Sequence, residues 1–177
     1  MIALVWIVPV ALAVLLVRAI FFGYPPPSYP EAKLLRPKEQ AIVAACADAL
    51  FPPGGPIPLS GTEAGLVAYL DAYIGAMPPL PRLLGRLLFQ SVEHSPWIFG
   101  PRPVRFTRLR PEERIRVLQQ MYDSKLYFRR VSFLSMRAMM TMAYLSHPKV
   151  AEAMGMRADL APFEPKTANE TSSEAYA

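Results

Sequence analysis

Few residues in this chain have the types and spacing that catalysis needs. The acid/base candidates are Glu93, His94, Asp123 and His147. They are spread along the sequence, and no local arrangement sets a nucleophile beside its base. A metal centre needs several converging ligands, and the chain has 2 histidines and 1 cysteine. Cys46 excludes an intramolecular disulfide. It lies in the apolar run IVAACADAL, where a small core residue is expected and nothing cationic activates a thiol. Gly54-Gly55 is not followed by Lys-Ser/Thr, so it is no phosphate-binding loop, and no G-x-G-x-x-G fingerprint for a flavin or dinucleotide occurs. The sequence therefore predicts a non-enzymatic chain with no catalytic residue, no metal ligand and no cofactor of its own.

Binding chemistry is better represented. Residues 105–156 combine basic charge, aromatics and methionines in the longest helical pattern outside the N-terminal segment. Within it, Arg129 and Arg130 are flanked by Tyr127, Phe128 and Phe133, with Met136 and Met139 one and two turns on. Arginine and aromatics dominate protein interfaces, and methionine makes adaptable ones. These seven residues form the candidate partner surface, although methionines at helical spacing serve core packing equally well. Net charge is +5, from 19 Lys+Arg against 14 Asp+Glu. The arginines alternate with core-type apolar residues instead of forming a basic stripe, which argues against nucleic acid.

The elements positioning this surface are helical. Prolines cluster at residues 25–30, 52–58, 78–81 and 96–103, and period-2 alternation between them is almost absent. An all-α fold follows, with an N-terminal transmembrane helix ahead of a bundle of five to seven helices. Residues 1–22 form the anchor: residues 2–17 carry no charge, and a helix through residue 22 rises about 30 Å, enough to cross a bilayer core. Trp6, Arg18, Phe21, Phe22 and Tyr24 are its expected interfacial anchors. A cleaved signal peptide competes with this reading but lacks a basic leader and an A-x-A-like site. Arg18, Lys33, Arg36 and Lys38 all follow the segment, which places the body in the cytoplasm as a single-pass protein. A periplasmic body is the alternative if the segment is an export signal.

Residues 23–34 read as a Pro-rich spacer, 35–160 as the helical domain and 161–177 as a disordered tail. Pro37 suits the first position of a helix ending before Pro52. Ser60 and Glu63 form a capping box opening a helix to about residue 76, with Leu66, Val67, Leu70, Tyr73 and Ile74 inward. A helix over 82–92 turns Leu83, Leu84, Leu87, Leu88 and Val92 inward and closes at 93–96. Trp97-Ile98-Phe99 is expected to plug the core, or else to stand out as a hook for a partner. Pro111 starts a helix burying Ile115, Leu118 and Tyr122. Asp123-Ser124 divides it from a central helix carrying Leu126, Tyr127, Val131, Phe133, Leu134, Met136, Met140 and Tyr144. Pro148 starts a last short helix, with Gly155 at its end.

Several of these segments together resemble the gluconate 2-dehydrogenase subunit 3 family. They are ADALFP at 47–52, VAYLD at 67–71, RFTRLRPEER at 105–114, YFRRVSFL at 127–134 and AYLSHPKVAEAMGM at 143–156. Similar segments precede the flavin domain of some long-chain alcohol oxidases. The resemblance covers about residues 35–160. It implies a small, all-helical, cofactor-free accessory subunit whose partner, a flavin dehydrogenase of the glucose-methanol-choline type, carries FAD. The twin-arginine export signal of some members is absent here. The bilayer and the flavoprotein are thus the expected partners. The competing reading is a stand-alone membrane-tethered helical enzyme or lipid-binding module.

Overall fold

A computed structural model of the chain describes residues 7–12, 14, 15, 18, 24 and 29–156. Among the described residues there is no strand. Six helices follow one another: α1 (Pro37–Leu50), α2 (Leu66–Ala76), α3 (Pro79–Phe99), α4 (Pro111–Tyr122), α5 (Tyr127–Leu145) and α6 (Pro148–Ala153), with a 3-10 turn at Phe106–Arg108 before α4. Residues 7–12, 14, 15 and 18 are helical and exposed. Among the described residues no helix is long and apolar enough to cross a membrane. Trp6, Phe21 and Phe22 of the expected anchor, and the tail at 161–177, lie outside the described residues.

Helix starts are set locally. α1 and α4 both begin Arg-Pro-x-Glu, with proline at the first helical position. The Glu39 carboxylate accepts the Arg36 N–H at 2.8 Å, and that of Glu113 accepts the Arg110 N–H at 3.0 Å. The Ser60–Glu63 box also forms: Glu63 Oε2 accepts the Ser60 N–H at 2.8 Å and Ser60 Oγ accepts the Glu63 N–H at 3.3 Å. It closes only a turn, however. Gly65 takes φ +70°, and regular helix waits until Leu66.

α5 is the central element and packs against α2, α3, α4 and α6, while α1 covers α2, α3 and α4 from the other side. The core joins Ile42, Val43 and Cys46 of α1, Leu66, Leu70 and Ile74 of α2, Phe89 and Val92 of α3, and Met136 and Met140 of α5. The loop at 52–60 is tied down by Tyr144, which stacks on Phe51 at 3.9 Å between ring centroids and donates its hydroxyl to Leu59 O at 2.5 Å.

Three inward faces differ from the sequence reading. α3 does not end at 93–96; it runs through Pro96 to Phe99, and its buried residues are Gly85, Phe89, Val92, Glu93, Ser95 and Pro96. Leu83, Leu84 and Leu87 point outward and are about half exposed. The helix carries two apolar faces, and the one with the small residue wins the core. A Cβ added at Gly85 would meet Ile74 Cδ1 at 2.7 Å, so α3 approaches α2 more closely there than any larger residue allows. α4 buries Val117, Leu118 and Met121, whereas Ile115 and Tyr122 are exposed. In α5, Leu126 (its N-cap), Tyr127 and Leu134 are likewise exposed.

Candidate functional site

The first concentration of polar groups is a buried knot around Glu93, which has no exposed surface. The Tyr24 hydroxyl donates to Glu93 Oε1 at 2.9 Å, and the Thr107 hydroxyl donates to the same oxygen at 2.8 Å. The Thr107 N–H donates to Oε2 at 3.1 Å. Arg105, itself buried, sets its guanidinium 4.4 Å from the Tyr24 ring centroid. On the flank, Lys38 Nζ lies 3.3 Å from His94 Nε2.

Burial dominates the electrostatics of this knot. It pushes the Glu93 carboxyl above the usual carboxylate range, against the opposing pull of Thr107, Tyr24 and Arg105. Burial likewise raises the Tyr24 phenol to about 12. His94 is lowered by burial and then by the Lys38 and Arg105 charges, and Lys38 is lowered by burial. Glu93 thus has the perturbed character of a general acid, but it is sealed and its oxygens are occupied. Its chemistry is to pin Tyr24 and the 3-10 turn to α3. The Tyr24 side chain, read from the sequence as an interfacial anchor, is docked on the helical domain through Glu93 and Arg105. Downstream, the Asp71 carboxylate accepts the backbone N–H groups of Lys33, Leu34 and Leu35 at 2.9, 2.9 and 2.6 Å, and Tyr29 and Ala32 pack on the core. The end of the expected spacer therefore lies against the bundle.

The remaining acid/base candidates are not brought together. Asp123 accepts a hydrogen bond from Gln119 on the surface, and half-buried His147 stands just before α6 without a side-chain cap bond. Cys46 is fully buried, and burial pushes its thiol up, away from reactivity. Among the described residues no group of three or more His, Cys, Asp or Glu side chains could hold a metal ion.

The second concentration is apolar and faces water. On α3, Leu80, Leu83, Leu84 and Leu87 are 66%, 53%, 54% and 50% exposed. The same side of the helix continues through Ser91 to Ile98. Trp97, Ile98 and Phe99 stand out at its end rather than filling the core. Across from them a cleft of about 440 Å³ opens between α3, Met121 of α4 and the start of α5.

The candidate interface residues divide here. Tyr127 and Phe128 are strongly exposed on the rim of this cleft. Arg129 is half-buried: its Nε donates to Ser95 Oγ at 3.3 Å, its Nη1 donates to Gln120 O at 2.9 Å, and its guanidinium lies 4.5 Å from the Phe99 ring centroid. Arg130 donates to Ser124 O at 3.0 Å, so both arginines brace the α4–α5 junction. Met139 is partly buried against the core. Phe133 and Met136 are core residues, 5% and 0% exposed, and Phe133 edges a second hollow of about 420 Å³ beside α1. Neither offers a partner an exposed face, because α5 turns that side toward α2 and α4.

The Glu93 knot and the leucine face of α3 are hidden in the sequence for one reason. With the leucines assigned inward, Glu93 falls on the outside. Its position four residues after Phe89 and eight after Gly85 is the signal that puts it on the buried side.

No protein-family model, no curated protein and no solved structure matches this chain.

Proposed function

We propose that this chain is a non-catalytic, membrane-anchored accessory subunit that docks and tethers a flavin-dependent oxidoreductase of the glucose-methanol-choline type. The observation carrying the docking role is the outward leucine face of α3, a row of large apolar side chains held in water by a helix whose other side is locked into the core. Contiguous exposed apolar surface of this kind is a mark of a partner surface. Tyr127 and Phe128 extend it beyond the cleft. The sealed state of Glu93 and the separation of Asp123 and His147 support the non-catalytic part. The flavin-bearing partner is inferred from the resemblance of residues 35–160. The single-pass anchor at 1–22 and the cytoplasmic body are inferred from the uncharged run and the basic residues that follow it.

The test is purification of the full chain from membranes under mild conditions. A yellow complex that releases FAD on denaturation is the expected result, and Leu84→Asp with Leu87→Asp should free the flavoprotein while leaving the helical content intact. Recovery of the chain alone, with turnover of an alcohol or sugar by the chain itself, would favour the enzymatic reading instead.

A further inference from the structure

The cleft between α3, α4 and α5 divides into apolar walls and a donor-rich floor. Its volume of about 440 Å³ lies inside the range of small-molecule sites. Ile98, Tyr127 and Phe128 make walls that stand largely in water, an arrangement that an apolar ligand relieves. Ser95, Arg129 and Ser132 stand together on the floor: Arg129 Nε reaches Ser95 Oγ, and Ser132 follows Arg129 by about one helical turn.

Two atoms of this floor are without a partner. Arg129 Nη2 and Ser132 Oγ are buried polar atoms with no hydrogen bond, and Ser132 is 1% exposed. Buried donors are ordinarily satisfied, so each such atom calls for an acceptor. Among the described residues no acidic side chain lines the cleft, which leaves the guanidinium as its formal charge there; burial and the Lys38 charge hold His94 toward its neutral form. A guanidinium N–H beside a hydroxyl suits a planar carboxylate with two acceptor oxygens. Its volume is of the order taken up by one medium-length alkyl chain.

We propose that the cleft binds a single-chain amphiphile with a carboxylate head, such as a fatty acid, with the carboxylate accepting from Arg129 Nη2 and Ser132 Oγ and the chain lying along Ile98, Tyr127 and Phe128. The site needs no flavoprotein and leaves Leu80–Leu87 of α3 uncovered; it shares Tyr127 and Phe128 with the proposed docking surface, and the ligand test reads the cleft alone.

The experiment uses the full chain in phosphatidylcholine nanodiscs, a photoreactive diazirine fatty acid of medium chain length, and peptide mapping by mass spectrometry. Labelling is expected on peptides covering 91–99 and 121–132, with displacement by dodecanoate about tenfold better than by dodecanol, the factor set by one charge-assisted hydrogen bond. Ser132→Ala and Arg129→Gln should each lower cleft labelling at unchanged helical content. Ser132→Ala decides the matter if Arg129→Gln loosens the end of α4. A phosphatidylcholine carrying the same diazirine on its chain should leave the cleft unlabelled, and labelling by it would assign the site to bilayer lipid instead. The proposal is overturned if the fatty-acid label spreads over exposed apolar residues such as 80–87, if dodecanol competes equally, or if Ser132→Ala changes nothing.

Discussion

The outward face of α3 yields the sharpest stability contrast in the molecule. Leu84 is 54% exposed and Leu70 is 0% exposed, yet both sit in helices at apolar-stripe positions. Burying a leucine fully is worth about 1.5–3 kcal/mol, so Leu84, with about half its surface in water, contributes roughly half of that. Its truncation opens no closed cavity. Leu84→Ala is therefore expected to cost about 1 kcal/mol. Leu70→Ala forfeits the whole transfer term and leaves a void between α2 and its neighbours, for a loss of about 2–5 kcal/mol. Urea unfolding of the two full-chain variants, followed by circular dichroism, gives both numbers from the shift in midpoint at constant slope. Equal losses, or a larger loss for Leu84→Ala, would refute the assignment of the leucine row to the surface and restore it to the core.

Other outcomes follow from the same geometry. Because burial raises the Glu93 carboxyl, the folded chain holds a proton that the unfolded chain has released. Stability from this group is full below the ordinary carboxylate pKa of about 4.3 and falls as pH rises toward the folded value. Glu93→Gln should flatten that fall in a pH series of denaturation curves, whereas Glu93→Ala strands Thr107 and Tyr24 and should cost about 2–5 kcal/mol. Cys46, fully buried with a raised pKa, should resist a thiol reagent in the native state and react only on unfolding, as read by the time course of labelling with and without urea. Gly61→Ala should destabilise more than Gly65→Ala in thermal melts. A Cβ at 61 meets the Ala47 backbone carbonyl at 2.5 Å, while at 65 it meets open space and costs only the left-handed backbone, about 1–2 kcal/mol.

Legibility in the sequence tracked the range of the interactions involved. Proline at the first helical position followed by Glu39 or Glu113 is a contact within one turn, and α1 and α4 begin where those residues stand, as α6 begins at Pro148. The Ser60–Glu63 box was equally local and does form, but the glycine that delays α2 acts through its own φ, which a capping pattern does not encode. Faces were harder, because a helix with two apolar sides has no unique inward direction until its neighbour is known. In α3 the deciding residue is Gly85, whose smallness admits Ile74, and not the larger leucines. The Tyr24–Glu93 bond joins residues 69 apart and draws a tyrosine from the expected membrane boundary onto the bundle. No local pattern announces such a pairing. Of the candidate partner surface, Tyr127 and Phe128 are exposed, the two arginines serve as braces at the α4–α5 junction, and Phe133 and Met136 belong to the core.

The docking face is tested most directly by photo-crosslinking in cells from a benzoylphenylalanine placed at position 84 of the full chain, with position 112 on the exposed first turn of α4 as the control. A single crosslinked flavoprotein, identified by mass spectrometry and absent from position 112, is the expected result. Crosslinks equally abundant from both positions, or a crosslinked partner that binds no flavin, would contradict the role assigned to α3.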